Sequence, residues 1–178
     1  AEGAEIAITG FNNPGGAVEI PAAIDGKPVT SIGEGAFENA LITSVFIPAS
    51  VENIHNLAFK SCSQLQTVTF AEGSALASIG DNAFAGCQKL SSLQLPEGVT
   101  EIGRAAFNGC RALREVTVPT GVTEIEDFTF GVCASLREIH LPEGLTSIGA
   151  SAFTGCAALT QIVLPDGVTA LGAKAFNN

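Results

Sequence analysis

Phenylalanine recurs along this chain at nearly constant intervals, and no other feature restricts the fold as strongly. Phe37, Phe59, Phe84, Phe107, Phe130, Phe153 and Phe176 are separated by 22, 25, 23, 23, 23 and 23 residues. Ala precedes six of them, and Thr129 precedes Phe130. Five residues upstream of each lies an aliphatic side chain: Ile32, Ile54, Ile79, Ile102, Ile125, Ile148 and Leu171. Three further back comes another: Val29, Val51, Leu76, Val99, Val122, Leu145 and Val168. Three residues downstream, five units carry Cys (Cys62, Cys87, Cys110, Cys133, Cys156), followed by Leu65, Leu90, Leu113, Leu136 and Leu159. A period of this length means supersecondary units that cannot bury their apolar edge alone and must stack on one another.

Written as one coil, the repeat is L-x-x-L-x-L-P-x-G-V-x-x-I-G-x-x-A-F-x-x-C. Leu93-Gln94-Leu95 alternates with strand period. Pro96 cannot donate to a ladder and ends the strand, and Gly98 turns the chain. Val99 to Ile102 then crosses a second face. Gly103 to Cys110 reads as a short helical or 3₁₀ turn, with Phe107 and Cys110 three apart on one side. The prediction is a right-handed solenoid of coils about 23 residues long, with a parallel sheet on one face and short helical or 3₁₀ turns on the other. The short interval after Phe37 and the long one near Ser74-Ala75 are expected at surface turns. The Gly after the Ile, replaced by His55 and Glu126 in two coils, is read as serving backbone geometry.

The first 28 residues depart from the pattern. Ile6-Ala7-Ile8 and Val18-Glu19-Ile20 flank Phe11-Asn12-Asn13-Pro14-Gly15-Gly16, which reads as a hairpin. Residues 1–28 are therefore taken as an N-terminal cap, an edge hairpin plus one atypical coil, and residues 29–178 as seven repeats with the last incomplete. After Phe176 the chain stops in mid-coil. An open edge there is expected to continue an array or to be covered in a homodimer.

The recurring Pro-x-Gly-Val, Ile-Gly, Ala-Phe and Cys resemble the BspA-like, or Treponema pallidum-type, leucine-rich repeats over residues ~29–178, with Ile20-Pro21 to Phe37 resembling the entry into such arrays. The resemblance implies a leucine-rich-repeat solenoid. It also implies a bacterial protein that is surface-exposed or secreted, in some members an adhesin for host or matrix proteins. It brings no catalytic or ligand-binding residues.

The charge balance narrows the partners. Eight basic residues stand against eighteen acidic ones, for a net charge of −10. Nucleic-acid binding depends on Lys and Arg displacing phosphate counterions, and anionic membranes attract the same residues, so both are disfavoured. No apolar run approaches the ~20 residues of a membrane span. The N-terminus shows no signal peptide, and the chain lacks Met, as a processed or trimmed product would; an extracellular location is expected with any leader already removed. All eleven aromatics are Phe. Protein-binding surfaces usually concentrate Tyr and Trp, which weakens the case for a tight partner.

No constellation for catalysis, cofactor or metal emerges. The cysteines recur at intervals of 25, 23, 23 and 23, far from the close pairs zinc requires, and read as a buried file of small thiols. His55 and His140 occupy different register positions and read as single surface residues. Glu124-x-Glu126-Asp127 is the densest acidic run and reads as a solvated face. No P-loop, G-x-S-x-G or H-E-x-x-H occurs. The remaining candidate is the strand face, whose outward residues form two files. One is Ser44, Thr67, Ser92, Glu115, Glu138 and Gln161. The other is Phe46, Thr69, Gln94, Thr117, His140 and Val163. These vary from coil to coil, as a specific surface requires, and Phe46 is the best anchor. The expected function is a non-catalytic protein-binding or adhesion module acting through this face; the alternative is a structural spacer.

Overall fold

The computed structural model describes residues 5–12 and 15–177. It is a stack of coils carrying two strips of parallel strand. The strip on the L-x-x-L-x-L side begins with β2 (Gly16–Glu19), β5 (Ile42–Ile47) and β7 (Thr67–Phe70). A single bridge from Thr67 to Ser92 carries it into the fourth unit. It resumes as β10 (Glu115–Thr117) paired with β12 (Glu138–His140). The second strip runs β1 (Ile6–Ile8), β4 (Lys27–Ile32), β6 (Asn53–Ile54), β8 (Ser78–Ile79) and β9 (Glu101–Ile102). It continues as β11 (Glu124–Ile125), β13 (Ser147–Ile148) and β14 (Ala170–Leu171).

The core consists of files of like residues. Ile32, Ile54, Ile79, Ile102, Ile125 and Ile148 are all buried, as are Val29, Val51, Leu76, Val99, Val122 and Leu145. The Phe rings from Phe37 to Phe176 stack with centroids 4.9–5.7 Å apart and planes within 13° of parallel. That separation is close to the spacing of hydrogen-bonded strands, because both are set by the rise of one coil.

The stack has one more rung than the repeat pattern counts. Phe11 lies 4.8 Å from Phe37, tilted by 38°. Below it, Ile6 pairs with Val29 and Ile8 with Ile32, across an irregularity after Ile6. The N-terminal stretch is thus a shortened coil that stacks on the rest through a register shift. The expected hairpin between residues 6–8 and 18–20 is corrected: β1 pairs in parallel with β4, and β2 with β5. Asn13 and Pro14 of its proposed turn lie outside the described residues. A hairpin does exist nearby. β3 (Ala23–Ile24) pairs antiparallel with the start of β4 around Asp25-Gly26, both with positive φ (51° and 73°). Asp-Gly in that conformation makes a tight two-residue hairpin turn.

The Gly103–Cys110 segment and its equivalents contain no helix. Ala106 N–H donates to Gly103 O, Asn108 N–H to Ala105 O and Cys110 N–H to Phe107 O, each three residues back. The alternate donors leave the coil: Ala105, Phe107 and Gly109 donate to Asp127, Thr129 and Gly131 of the next. Ala105 and Gly109 have φ of 54° and 76°. A left-handed residue every fourth position interrupts helical dihedrals and points its N–H at the neighbour. The helical or 3₁₀ expectation therefore gives way to a chain of turns that cross-links coils.

Candidate binding face

All ten residues proposed for the strand face lie on one side of the stack and are exposed. The cause is the alternation of each strand. In β5, Ile42, Val45 and Ile47 are buried while Phe46 points out. In β10 and β12, Val116 and Ile139 point in, and the flanking residues point out. Ser44 stands opposite Thr67, Phe46 opposite Thr69, Glu115 opposite Glu138, and Thr117 opposite His140. Phe46 is 36% exposed, which leaves much of its ring against neighbours, whereas Val163 is 84% exposed and nearly free. The depressions on this face are open grooves. One of about 670 Å³ runs past Thr67, Thr69, Ser92 and Gln94. Another of similar size passes Arg137, Glu138, His140, Gln161 and Val163.

The two glutamates and the histidine converge. His140 Nε2 lies 3.2 Å from Glu138 Oε1 and 3.7 Å from Glu115 Oε1. Considering the two histidines only against each other misses this grouping. The signal lies in adding the coil period to Glu115, which brings Glu138 beside it and His140 onto the same face.

Of the other residues weighed for chemistry, the cysteines and Asp127 have structural partners. Each buried thiol lies against the Phe carbonyl of the preceding coil: Cys62 on Phe37, Cys87 on Phe59, Cys110 on Phe84, Cys133 on Phe107 and Cys156 on Phe130, at 3.0–3.3 Å. Burial pushes the Cys62 thiol up to about 12 and that of Cys156 up to about 11. It raises Cys87, Cys110 and Cys133 further, with neighbouring thiols adding to the effect. Such groups stay protonated and are poor nucleophiles or ligands. In the acidic run, Asp127 accepts from Ala150 N–H at 2.6 Å and pairs with Arg104 at 2.6 Å. Asp127 therefore links three coils. His55 is exposed on the opposite strip.

Two features of the turn side escape the sequence pattern. Phe128 and Val132 are 41% and 39% exposed and both have φ of 58°. A bulky or β-branched residue in the left-handed region is strained; the Phe128 column repeats this at Leu57 and Lys174, whereas the Val132 column elsewhere holds Gly86, Gly109 and Gly155.

The family model for the BspA-type leucine-rich-repeat region matches in six copies, over residues 18–76 and 73–178. Among solved structures, a leucine-rich cell surface protein from Faecalibacterium prausnitzii A2-165 is similar at 40% identity, with a TM-score of 0.86 over 93% of this chain and 45% of that one. The T. pallidum leucine-rich-repeat protein is 30% identical, with a TM-score of 0.68, and the match covers 88% of this chain and 84% of that one. A leucine-rich-repeat protein from Bacteroides ovatus ATCC 8483 is 31% identical with a TM-score of 0.74, covering 93% and 50%. This chain spans less than half the length of the Faecalibacterium protein. No curated protein matches it significantly. No helix among the described residues is long and apolar enough to cross a membrane. With family repeats recognised from residue 18 to residue 178, the chain belongs to the BspA-type leucine-rich-repeat family.

Proposed function

We propose that this chain is a non-catalytic binding module of a bacterial surface or secreted protein, and that it contacts another protein through the outward residues of the strand face. One observation carries the reading. The inward files are nearly invariant from coil to coil, while the two outward files change at almost every rung and share a single exposed face. In a repeat protein, that combination is how a common scaffold acquires an individual surface. The Faecalibacterium relative is a cell surface protein, and the same location is proposed here. Residues 1–28 are proposed as the cap of the array.

The test immobilises the folded chain and measures binding to a panel of purified extracellular-matrix and host-surface proteins. For any protein bound, the affinity of Phe46→Ala, Glu138→Lys and His140→Ala is compared with wild type. At least one of the three is expected to weaken binding about tenfold or more. Unchanged affinity in all three would exclude the strand face. The rival reading, a stiff spacer, is supported by the unbroken ring stack. It predicts that no panel member binds and that the neighbouring domains of the parent protein carry the activity.

A further inference from the structure

Between Ser44 and Val163 the strand face has twelve outward positions in two files, and only three hold ionisable side chains: Glu115, Glu138 and His140. All three fall on the adjoining strands β10 and β12. Glu115 and Glu138 stand directly opposite each other, and like charges in that relation destabilise a sheet. Two residues beyond Glu138, and so on the same face, His140 turns its Nε2 to 3.2 Å from Glu138 Oε1 and 3.7 Å from Glu115 Oε1. One donor atom from each residue lies within 4.8 Å of the other two. A tetrahedral ion with bonds of about 2.0–2.2 Å holds its ligand atoms about 3.4 Å apart, a value between the two nitrogen–oxygen distances. The histidine separates this group from an ordinary acidic patch. An imidazole nitrogen with two carboxylates suits a first-row divalent ion, whereas Ca²⁺ and Mg²⁺ take oxygen ligands.

We propose that Glu115, Glu138 and His140 form a surface site for a divalent transition-metal ion such as Zn²⁺. Three protein ligands hold the ion, and a fourth position faces solvent. The ion removes the repulsion between the stacked carboxylates. It also leaves a coordination position on the strand face, open to water or to a donor atom of a second molecule. The site stands without any partner, so its test uses the metal alone.

The full chain, free of any affinity tag, is titrated with Zn²⁺ by calorimetry, with circular dichroism confirming the fold of each variant. Saturable binding of one ion per chain is expected. His140→Ala should weaken it about tenfold or more, and Glu115→Gln and Glu138→Gln several-fold each. His55→Ala and Glu124→Gln should leave it unchanged, and excess Mg²⁺ should not displace the ion. Co²⁺ in place of Zn²⁺ should give visible absorption that His140→Ala abolishes. The proposal is overturned if wild type shows no saturable uptake. It is overturned equally if His140→Ala binds as tightly as wild type, or if His55→Ala weakens binding as much as His140→Ala does.

Discussion

Each cysteine does two jobs in the space of one small side chain. It fills the core beside the Phe stack, and its thiol faces a carbonyl that already accepts from a backbone N–H of its own coil. Phe107 O, for example, receives the N–H of Cys110 and the Sγ–H of Cys133, at 3.2 and 3.3 Å. A buried carbonyl has two lone pairs to satisfy, and the file of thiols supplies the second donor coil after coil. Thr129, the one buried polar side chain among the described residues, solves a related problem by donating to Glu126 O at 2.8 Å. The thiols also set an alkaline limit. Their folded values lie above the ordinary 9.0, to about 11 for Cys156 and about 12 for Cys62. The folded state therefore holds protons that the unfolded chain releases. This contribution to stability is fully present below pH 9 and is lost as pH rises toward 11 and 12, by about 1.4 kcal/mol per pH unit for each titrating cysteine. Urea unfolding midpoints should be flat for these groups up to about pH 8 and fall steeply above 9. A Cys110→Ala, Cys133→Ala double variant should show a shallower decline. Identical slopes in the two proteins would mean that other groups govern the alkaline loss.

At the scale of the element, the Gly that follows the Ile is explained by contact, not by dihedral. None of Gly33, Gly80, Gly103, Gly149 and Gly172 has a positive φ. A Cβ on Gly103 would lie 2.7 Å from Asp81 N and Gly80 C of the coil below, and one on Gly80 would lie 2.7 Å from Asn56 N. Backbone cannot yield as a flexible side chain does, so at these glycines a Cβ would force the neighbouring coil to shift, whereas the coils of His55 and Glu126 accommodate one. Gly103→Ala is expected to destabilise by about 1–3 kcal/mol. Gly144 is a useful contrast, since its nearest neighbour, Thr120 O, is 3.8 Å away. Gly144→Ala should be neutral or slightly stabilising, by up to about 1 kcal/mol, because it restricts the unfolded chain. A loss at Gly144 equal to that at Gly103 would defeat the contact explanation. What the sequence disclosed here follows from the same physics. The regular coils were legible because one spacing repeats in register, and so the buried files and the outward files were both readable. The first coil was not, because its Ile-to-Phe interval is three residues, Ile8 to Phe11, where the others have five. Its core contacts survive only because β1 shifts register after Ile6. The turn was misread because three-residue spacing on one side fits a helix and a run of turns equally well. Only the left-handed residues separate them, and Ala105, Phe128 and Ser151 are not residues that announce that conformation. The Glu115, Glu138 and His140 grouping was readable from the coil period, but it falls across the two outward files, and taking each file singly leaves it apart.

For the whole molecule, these elements amount to a one-dimensional object. Strand pairing, ring stacking and thiol contacts all link one coil to the next, so stability is the sum of coil and interface terms. An interior coil has two such interfaces and an end coil one. The exposure of the last coil reflects this: Ile148 is buried at 1%, but its file-mate Leu171 is 55% exposed. Opening from an end loses one interface at a time, whereas opening in the middle must break two. Amide exchange should therefore grade along the stack. Gly80, Gly103 and Gly149 donate across coils to Ile54, Ile79 and Ile125, as Gly172 does to Ile148, at nearly equal lengths of 2.7–2.8 Å. Bond geometry thus predicts equal protection, and coil position predicts otherwise. Gly172 should exchange more than about tenfold faster than Gly103 under conditions where exchange reports opening equilibria. Phe107→Ala, which empties the middle of the stack at a cost of about 3–5 kcal/mol, should accelerate exchange at Gly80 and Gly103 far more than at Gly172. Equal protection at all four glycines would show a single cooperative unit, and neighbouring coils could then not be treated as separable terms.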